Sequence, residues 1–377
     1  MKQFKVVLHL IKLNTELEWA IYDRKGTLIL DKGERVTSQS QLDSLRKHGA
    51  YRLIANKADT TPEFTHSTER ASPFALVHQC AEQLEAILKA ISAGSCPDGQ
   101  ERIKNLTARI QHLCEKNADA ALGAVHLLHD IRYTTIHPLH KAILCDLVAL
   151  ALSLPDERRF PLLAAALTSN VSVIDFQEEL RSQATPLTEE QWAVMKQHTK
   201  NGVELLKQVG IDYPLWFDIV EQHHERADGS GYYGSAGEDI CLEAKILGLA
   251  DVYAAGVSPR AYRQPRLASE SLKDLFLKCD ELHDERLSLL FIKQLGVFPP
   301  GTFVRLVNEE IAVVIKRPAQ DSMWPQVKSL FRATGQPYSN PVTRDTSQSE
   351  FRIEEMCRLT QALPVDPAEL WLWEPDC

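Results

Sequence analysis

The stretch from His223 to Ala255, HHERADGSGYYGSAGEDICLEAKILGLADVYAA, joins two adjacent histidines, a glycine-rich turn and a strongly apolar segment. The apolar segment has helical spacing and carries an aspartate, Asp251, whose burial is costly unless it is paired or bound to a metal. Adjacent residues on a helix point about 100° apart. His223 and His224 can therefore serve one site only at a helix end or between metal centres, and the alternative is a polar helix end followed by a loop.

Further histidines stand in neighbouring helical segments of the chain. His137 and His140 lie in TIHPLHKAIL, and His198 lies in VMKQHTKNGVELL. A single histidine on a helix is more often a hydrogen-bonded residue than a ligand. Several histidines on different helices of one bundle, together with a buried carboxylate, are how metal sites in bundles are assembled.

The bulk properties indicate a globular protein of more than one domain. The chain has 377 residues, of which 44% are hydrophobic and 25% charged, and it has no apolar run long enough for a transmembrane helix. Its eight cysteines form no CxxC pair, which favours reduced thiols and a cytoplasmic location. The net charge of −9 argues against a nonspecific nucleic-acid binder, so an anionic ligand would need a local basic cluster.

Hydrophobic patterning divides the chain into four segments. Residues 1–62 have strand-like runs with a turn at DRKG and a short helix ending at Gly49, followed by a polar linker over 63–73. Residues 74–298 have helical periodicity, beginning with Val77, Cys80, Ala81, Leu84, Ile87, Leu88 and Ile91. Residues 299–377 form a mixed module that starts with a hairpin turning at Asn308 and Glu309.

Four ordered motifs resemble the HD-GYP domain family, whose members cleave the bacterial second messenger cyclic di-GMP. They are HHE, DGSGY, LEAKIL-x-x-AD and an R-x-YR end, all between His223 and Arg263. Upstream, PLTEEQWAVMKQHTKNGVELL is similar to the family helix with a metal-binding histidine. The likeness extends over roughly residues 125–320. It implies a mostly α fold, an HD-type helical bundle flanked by a small β-rich N-terminal module and a small mixed α/β C-terminal module.

The chain departs from the family at the His-Asp pair itself. Family members have a segment like LLHDIGKIGIPDEIL, and the ungapped counterpart here is ALTSNVSVIDFQEEL. Thr168 stands at the histidine position, Ser169 at the aspartate position and Ser172 at the lysine position. The family aspartate bridges two metals and the lysine contacts phosphate, so these replacements predict that no catalytic residue remains. The family's Gly-Tyr-Pro triplet corresponds to Gly231, Tyr232 and Tyr233, so a tyrosine stands at the proline position.

The metal ligands that the resemblance leaves in place are His198, His223, His224 and Asp251, with His137 as an upstream ligand. Two readings stay open: three imidazoles hold one Fe, Mn or Zn ion, or the histidines bind no metal and form hydrogen bonds. For the ligand, the resemblance implies Arg260, Arg263 and Tyr232, because guanidinium groups suit phosphate. The alternative for the arginines is a solvated basic loop.

The first functional hypothesis is a catalytically inactive HD-GYP protein, which acts as a cyclic di-GMP sensor or effector or as a protein-interaction module in signalling. The second is a working metal-dependent cyclic di-GMP phosphodiesterase with a reduced metal site, and the third is a scaffold that binds no nucleotide. The expected partners are cyclic di-GMP, a signalling protein and, as one option, a second copy in a homodimer. No nucleic acid and no membrane span are expected.

Overall fold

The computed structural model describes residues 2–5, 21–22, 28–30, 33–38, 41, 51–54, 72–259, 265–278, 284–318 and 324–371. Contacts divide the chain into two units, Met1–Thr68 and Glu69–Cys377. The predicted helix ending at Gly49, nearly all of the predicted linker, and both Arg260 and Arg263 lie outside the described residues.

The N-terminal unit contains an antiparallel sheet of short strands, as its alternating segments predict. The strands pair in the order β1-β4-β2-β3. Ile21 is completely buried. The strand bounds are β1 Lys2–Lys5, β2 Ile21–Tyr22, β3 Leu28–Leu30 and β4 Tyr51–Ile54.

The second unit begins with a run of α-helices that no described strand interrupts before residue 303, as the periodicity predicts. The bounds are α1 Pro73–Ser92, α2 Gly99–Lys116, α3 Ala118–Leu127, α4 Tyr133–Ala151, α5 Asp156–Thr168, α6 Ile174–Ser182, α7 Glu189–Gln208, α8 Pro214–Gln222, α9 Leu242–Val257, α10 Ala268–Leu277 and α11 Glu285–Leu295.

Local sequence signals explain where these helices begin. Ser72 caps α1, because its side-chain oxygen accepts a hydrogen bond from the amide of Ala75, and Pro73 occupies the first turn. The apolar residues predicted for α1 are all buried in the structure. Helix α7 starts with a capping box in which Thr188 and Gln191 bond each other's backbone.

Helix α4 lies at the centre of the bundle. Every residue from Thr134 to Ala149 is buried, and the helix packs against α5 on one side and α9 on another. A helix buried on all sides must also bury its polar residues, here His137, His140, Lys141 and Asp146. Asp146 forms a bidentate ion pair with Arg159 of α5, with hydrogen bonds of 2.6 and 2.9 Å. His137 and Lys141 face the candidate site through Asp251.

The C-terminal part of the second unit is an antiparallel sheet in the order β8-β7-β6-β5-β9. The predicted hairpin is confirmed, since β5 and β6 pair antiparallel across a turn in which Glu309 adopts φ of 66°. Trp371 stacks on Phe74 of α1 and donates its indole N–H to the Ile315 carbonyl at 2.8 Å. The bounds are β5 Phe303–Leu306, β6 Ile311–Lys316, β7 Gln326–Phe331, β8 Pro337–Asp345, β9 Ile353–Cys357 and α12 Pro367–Leu370.

None of the described helices has both the length and the apolar character that crossing a bilayer requires.

Candidate metal centre and binding cavity

The two adjacent histidines face one site because a helix ends immediately before them. Helix α8 stops at Gln222, and His223 is its C-terminal cap. The rings of His223 and His224 lie 4.0 Å apart between centroids and are tilted by 37°. The Nδ1–H of His223 donates to the Val220 carbonyl at 2.7 Å, so the ring is fixed by its own helix. The helix-end arrangement considered for the sequence is therefore the one found.

His198 reaches the same place from α7. It is fully buried, and its ring lies 5.4 Å from that of His223 and 5.1 Å from that of His224. The Nδ1–H of His198 donates to the Met195 carbonyl, and the Ser172 hydroxyl donates to the backbone carbonyl of His198 at 2.7 Å. One nitrogen from each of the three rings lies within 4.8 Å of the others.

The three-histidine cluster, His198, His223 and His224, fits a single metal ion. The Nε2 atoms of His198 and His223 are buried and have no hydrogen-bond partner among the described residues. Their Nδ1 atoms are tied to backbone carbonyls, which is the arrangement that orients metal-binding imidazoles. Burial lowers the pKa of His198, takes that of His223 well below its ordinary value, and lowers that of His224 to about 3. The rings are therefore neutral, as ligation requires.

Asp251 lies beside this cluster and is paired, as its place in an apolar helix requires. Its Oδ1 atom accepts a hydrogen bond from His137 Nε2 at 3.0 Å and lies 3.3 Å from the ammonium of Lys141. Burial acts to raise the pKa of Asp251, but Lys141 and His137 hold it well below its ordinary value. Asp251 is thus a carboxylate anion whose contacts are with α4.

The three positions where the chain departs from the family are filled by hydroxyls in interior hydrogen bonds. The Thr168 hydroxyl donates to the Ala164 carbonyl at 2.7 Å and accepts the indole N–H of Trp216 at 2.8 Å. The Ser169 hydroxyl accepts from Lys141 at 2.7 Å. Ser172 holds the backbone of His198. Each hydroxyl is committed to the bundle itself.

The loop after the histidines is held by Glu225, the acid of the HHE motif. Its carboxylate accepts the backbone N–H of Tyr233 at 2.9 Å and that of Ser235 at 2.8 Å. Gly231 lies directly over this turn, where a Cβ would stand 2.5 Å from the Glu225 Cα and 2.8 Å from the His224 carbonyl oxygen. Only glycine allows so close a backbone approach. The DGSG sequence therefore folds back tightly onto the histidines.

The two tyrosines of this loop point to different neighbours. Tyr232 covers His224 with ring centroids 4.6 Å apart, and burial raises its pKa to about 12. Tyr233 turns to α7, where its hydroxyl donates to the Lys196 carbonyl and its ring lies 3.9 Å from the Lys200 ammonium. The residue at the family's proline position thus anchors the loop to α7.

A cavity of about 850 Å³ opens beside the three-histidine cluster and includes Asp251 in its wall. Tyr232 and Trp192 meet edge to face there, with centroids 6.2 Å apart, and Trp192 is 47% exposed. Lys196 and Arg226 are the basic side chains that line it. Cavities of this size suit small-molecule ligands. Aromatic faces and cations in one cavity suit a ligand with bases and phosphates.

The structure brings most of the sequence-predicted site residues together. His198, His223, His224, Asp251, His137 and Tyr232 lie around one site, as predicted from the motifs. His140 packs instead against His129, with ring centroids 5.7 Å apart. The roles of these residues in binding remain predictions.

Sequence reasoning missed Lys141, Trp192, Lys196 and Arg226. A spacing signal was present for three of them. Lys141 follows His137 by four residues and so shares its helix face, and Trp192 and Lys196 have the same spacing on α7. Arg226 comes two residues after His224, within the motif itself.

The helical region is similar to known proteins. Residues 104–287 match a family model described as HD domain. The fold is also similar to that of Bd1817, described as a HDG"Y"P protein from Bdellovibrio bacteriovorus, with a TM-score of 0.54 over 77% of this chain and 98% of that one. The two share 16% identity, so this likeness shows the fold alone.

Several curated relatives are named as phosphodiesterases of cyclic dinucleotides. PA4108 of Pseudomonas aeruginosa, a cyclic di-GMP phosphodiesterase, is 28% identical over 58% of this chain and 53% of its own length. RpfG of Xanthomonas campestris, a cyclic di-GMP phosphodiesterase response regulator, is 36% identical over 37% and 38%. The 3'3'-cGAMP-specific phosphodiesterase 3 of Vibrio cholerae is 26% identical over 49% and 41%. The chain spans about half the length of these relatives, or less.

Proposed function

We propose that the chain binds a cyclic dinucleotide without hydrolysing it, because residues 104–287 match an HD-domain model and relatives are named as cyclic dinucleotide phosphodiesterases. It would act as a sensor or effector, or as a protein-interaction module, in bacterial second-messenger signalling. Its relatives are named for cyclic di-GMP and for 3'3'-cGAMP. Each of these nucleotides carries two purine bases on a ring that contains two phosphates. The proposed ligand class is therefore a cyclic dinucleotide, and cyclic di-GMP is the preferred candidate.

The observation that carries this proposal is the composition of the cavity beside the three-histidine cluster. Trp192 and Tyr232 offer flat faces on which a purine base can stack. Lys196 and Arg226 offer positive charge to phosphates, in a chain whose net charge is −9. A local basic pair of this kind is what an acidic protein needs in order to attract a doubly negative ligand.

The absence of hydrolysis is proposed from the residues at the family's catalytic positions. A hydroxyl at Ser169 is neutral and is already bonded to Lys141, so it cannot bridge two metal ions as a carboxylate does. Ser172 carries no charge for the phosphate and instead holds the backbone of His198. The chemistry that would generate hydroxide between two metal ions therefore lacks its bridging ligand.

A second candidate function is a phosphodiesterase that works with one metal ion. The observation in its favour is the pair of unpartnered, buried Nε2 atoms of His198 and His223 beside His224. Three imidazoles are a sufficient ligand set for a catalytic ion with an open position. When bound, such an ion supplies Lewis acidity next to the cavity. The third candidate, a scaffold without nucleotide, makes no use of this cavity.

Calorimetric titration of the whole chain with cyclic di-GMP, and separately with 3'3'-cGAMP, tests the proposal. We expect heat for the wild type and a loss of well over tenfold in affinity for Lys196→Ala/Arg226→Ala. Charge-assisted bonds to phosphate contribute roughly 1.5–3 kcal/mol each, and about 1.4 kcal/mol is one decade. The matched control is Lys104→Ala/Lys207→Ala, which removes two exposed lysines that do not line the cavity.

The same titration tests the arginines that the family resemblance indicates. Arg260→Ala/Arg263→Ala should also weaken affinity by well over tenfold if both contact the phosphates. No heat for the wild type at high micromolar concentrations of either nucleotide would leave only the scaffold. Equal affinity for the wild type and the Lys196→Ala/Arg226→Ala variant would remove the cavity as the binding site.

A further inference from the structure

Lys141 is a lysine that is completely buried at the centre of the bundle. It lies on α4, the helix that is buried on all sides, and its side chain has no exposed surface. An ammonium group so placed is strongly destabilising unless anionic and polar oxygens surround it. The residues around Lys141 therefore explain why this position tolerates a lysine.

Three oxygens from three different residues surround the Lys141 ammonium. Its Nζ donates to the Ser169 hydroxyl at 2.7 Å and to the Asn170 side-chain oxygen at 3.3 Å, and it lies 3.3 Å from Asp251 Oδ1. A carboxylate, a hydroxyl and an amide oxygen form the kind of set that surrounds a hard cation. Here the chain itself supplies the cation.

The position of this ammonium between Ser169 and Asp251 indicates a role in the site beyond packing. Ser169 stands where the family has its bridging aspartate, and Asp251 is the carboxylate that remains. The ammonium joins these two positions directly. A divalent ion with an aspartate has the same net charge as an ammonium with a serine. The exchange therefore keeps the charge at this point of the bundle while removing a metal ligand.

We propose that Lys141 replaces one of the two metal ions of an HD-GYP centre, so that this chain binds a single ion, at His198, His223 and His224. Asp251 then serves as the counter-ion of Lys141, and His137 orients that carboxylate through its 3.0 Å hydrogen bond. The inference rests on the three-histidine cluster of the proposed function. It needs no nucleotide binding, so a failed titration with cyclic dinucleotides leaves it standing.

Counting bound metal tests the proposal without any assay of activity. The whole chain is stripped with a chelator, saturated separately with Zn²⁺ and with Mn²⁺, desalted, and analysed for metal per chain. We expect one ion for the wild type, none for His198→Ala, and one for the control His112→Ala, whose side chain is exposed on α2. Two ions or none in the wild type would overturn the proposal, as would one ion in His198→Ala.

The role of the lysine is tested by two exchanges at its position. Lys141→Met removes the charge and keeps most of the volume, and it should tighten the binding of the single ion about tenfold, because a nearby cation is gone. Thr168→His/Ser169→Asp/Lys141→Val restores the family's His-Asp pair and removes the ammonium, so it should raise the count to two ions. Circular dichroism checks that each variant is folded.

If one of these variants unfolds, the other still tests the proposal, because Lys141→Met and the restored variant are measured separately. Unchanged affinity in a folded Lys141→Met variant would show that the ammonium does not act on the ion site. A folded restored variant that still binds one ion would show that the lysine does not stand in a second metal position. Either result would overturn the assignment.

Discussion

At Thr168, where the family resemblance implies a metal ligand, a single hydroxyl makes two structural hydrogen bonds. It accepts the indole N–H of Trp216 and donates to the Ala164 carbonyl, and both groups are deep in the bundle. At Ser169 the hydroxyl is matched with the Lys141 ammonium. Both hydroxyls therefore form hydrogen bonds with buried donors of the bundle.

Gly231 is the residue on which the loop beside the histidines depends most directly. For Gly231→Ala we expect the free energy of unfolding to fall by about 1–3 kcal/mol, because the new Cβ would meet backbone atoms of Glu225, His224 and Arg226 at under 3 Å. The shifted loop should also carry Tyr232 away from His224 and weaken dinucleotide binding by more than tenfold. Urea unfolding and calorimetry measure the two effects.

The control for this substitution is Ser235→Ala in the same loop. The contact of Ser235 with Glu225 is made by its backbone amide, so the change should alter stability by less than about 0.5 kcal/mol. If Gly231→Ala changes the free energy of unfolding as little as Ser235→Ala does, the prediction is wrong, because the turn then relaxes without loss of stability.

At the level of elements, the site is built by helix ends and by the order of the helices. Helix α8 ends at the histidine pair, α7 supplies His198 together with Trp192 and Lys196, and α9 places Asp251 opposite α4. Helix ends fix backbone direction, so two adjacent side chains can turn to the same side there. A continuous helix through His223 and His224 would have sent one ring away from His198.

The C-terminal sheet has a buried charged group of its own at Glu310. Burial acts to raise its pKa, but the Arg344 guanidinium and the hydroxyls of Ser329 and Tyr338 lower it to about 2. Arg344 makes two contacts with the carboxylate, at 2.7 and 2.9 Å. Glu310 thus links the turn before β6 to strands β7 and β8 through one carboxylate.

For Glu310→Gln we expect a loss of about 2 kcal/mol in the free energy of unfolding at pH 7, because the Arg344 charge loses its partner. The wild-type advantage should be complete above pH 4.5 and should disappear as the pH falls towards 2, since the folded carboxyl has the lower pKa. Urea unfolding of both proteins between pH 7 and pH 3 measures this. An equal difference at both pH values would contradict the assignment.

At the scale of the whole molecule, one apolar core runs from the first helix to the C-terminal sheet. It includes residues of α1, α4, α9 and β6, and Trp371 closes it against Phe74. Six histidines with lowered pKa values are built into this bundle: His126, His129, His140, His198, His223 and His224. Burial is the largest cause for each of them. Their protonation is therefore coupled to unfolding.

We expect the metal-free protein to lose at least about 3 kcal/mol of stability between pH 7.5 and pH 5.5. Histidines of the unfolded chain take up protons below about pH 6.5, whereas the buried ones stay neutral, and each contributes up to about 1.4 kcal/mol per pH unit. The stability they give is complete above pH 6.5 and is lost as the pH falls towards 3. Urea midpoints in the presence of a chelator measure this, and an unchanged midpoint at pH 5.5 would contradict it.

We also expect no useful hydrolysis of cyclic di-GMP by the purified chain in the presence of Mn²⁺ or Fe²⁺. The reason is that neutral hydroxyls stand at Ser169, where the family resemblance implies a bridging carboxylate, and at Ser172, where it implies a lysine. Chromatography follows the linear product, with an active phosphodiesterase run in parallel. Multiple turnovers that a chelator abolishes would instead establish the single-metal enzyme.

The amino-acid sequence by itself determined the fold class, the hairpin at Asn308 and Glu309, and the histidines, Asp251 and Tyr232 that meet at the site. Periodicity and ordered motifs suffice for these, because they depend on local spacing and on which residue types can be buried. Only the tertiary structure decided what Asp251 pairs with, since Lys141, Ser169 and Asp251 are far apart in sequence and meet through the packing of α4, α5 and α9. The charge balance of a buried site depends on such three-dimensional neighbours, and no pattern along the chain records them.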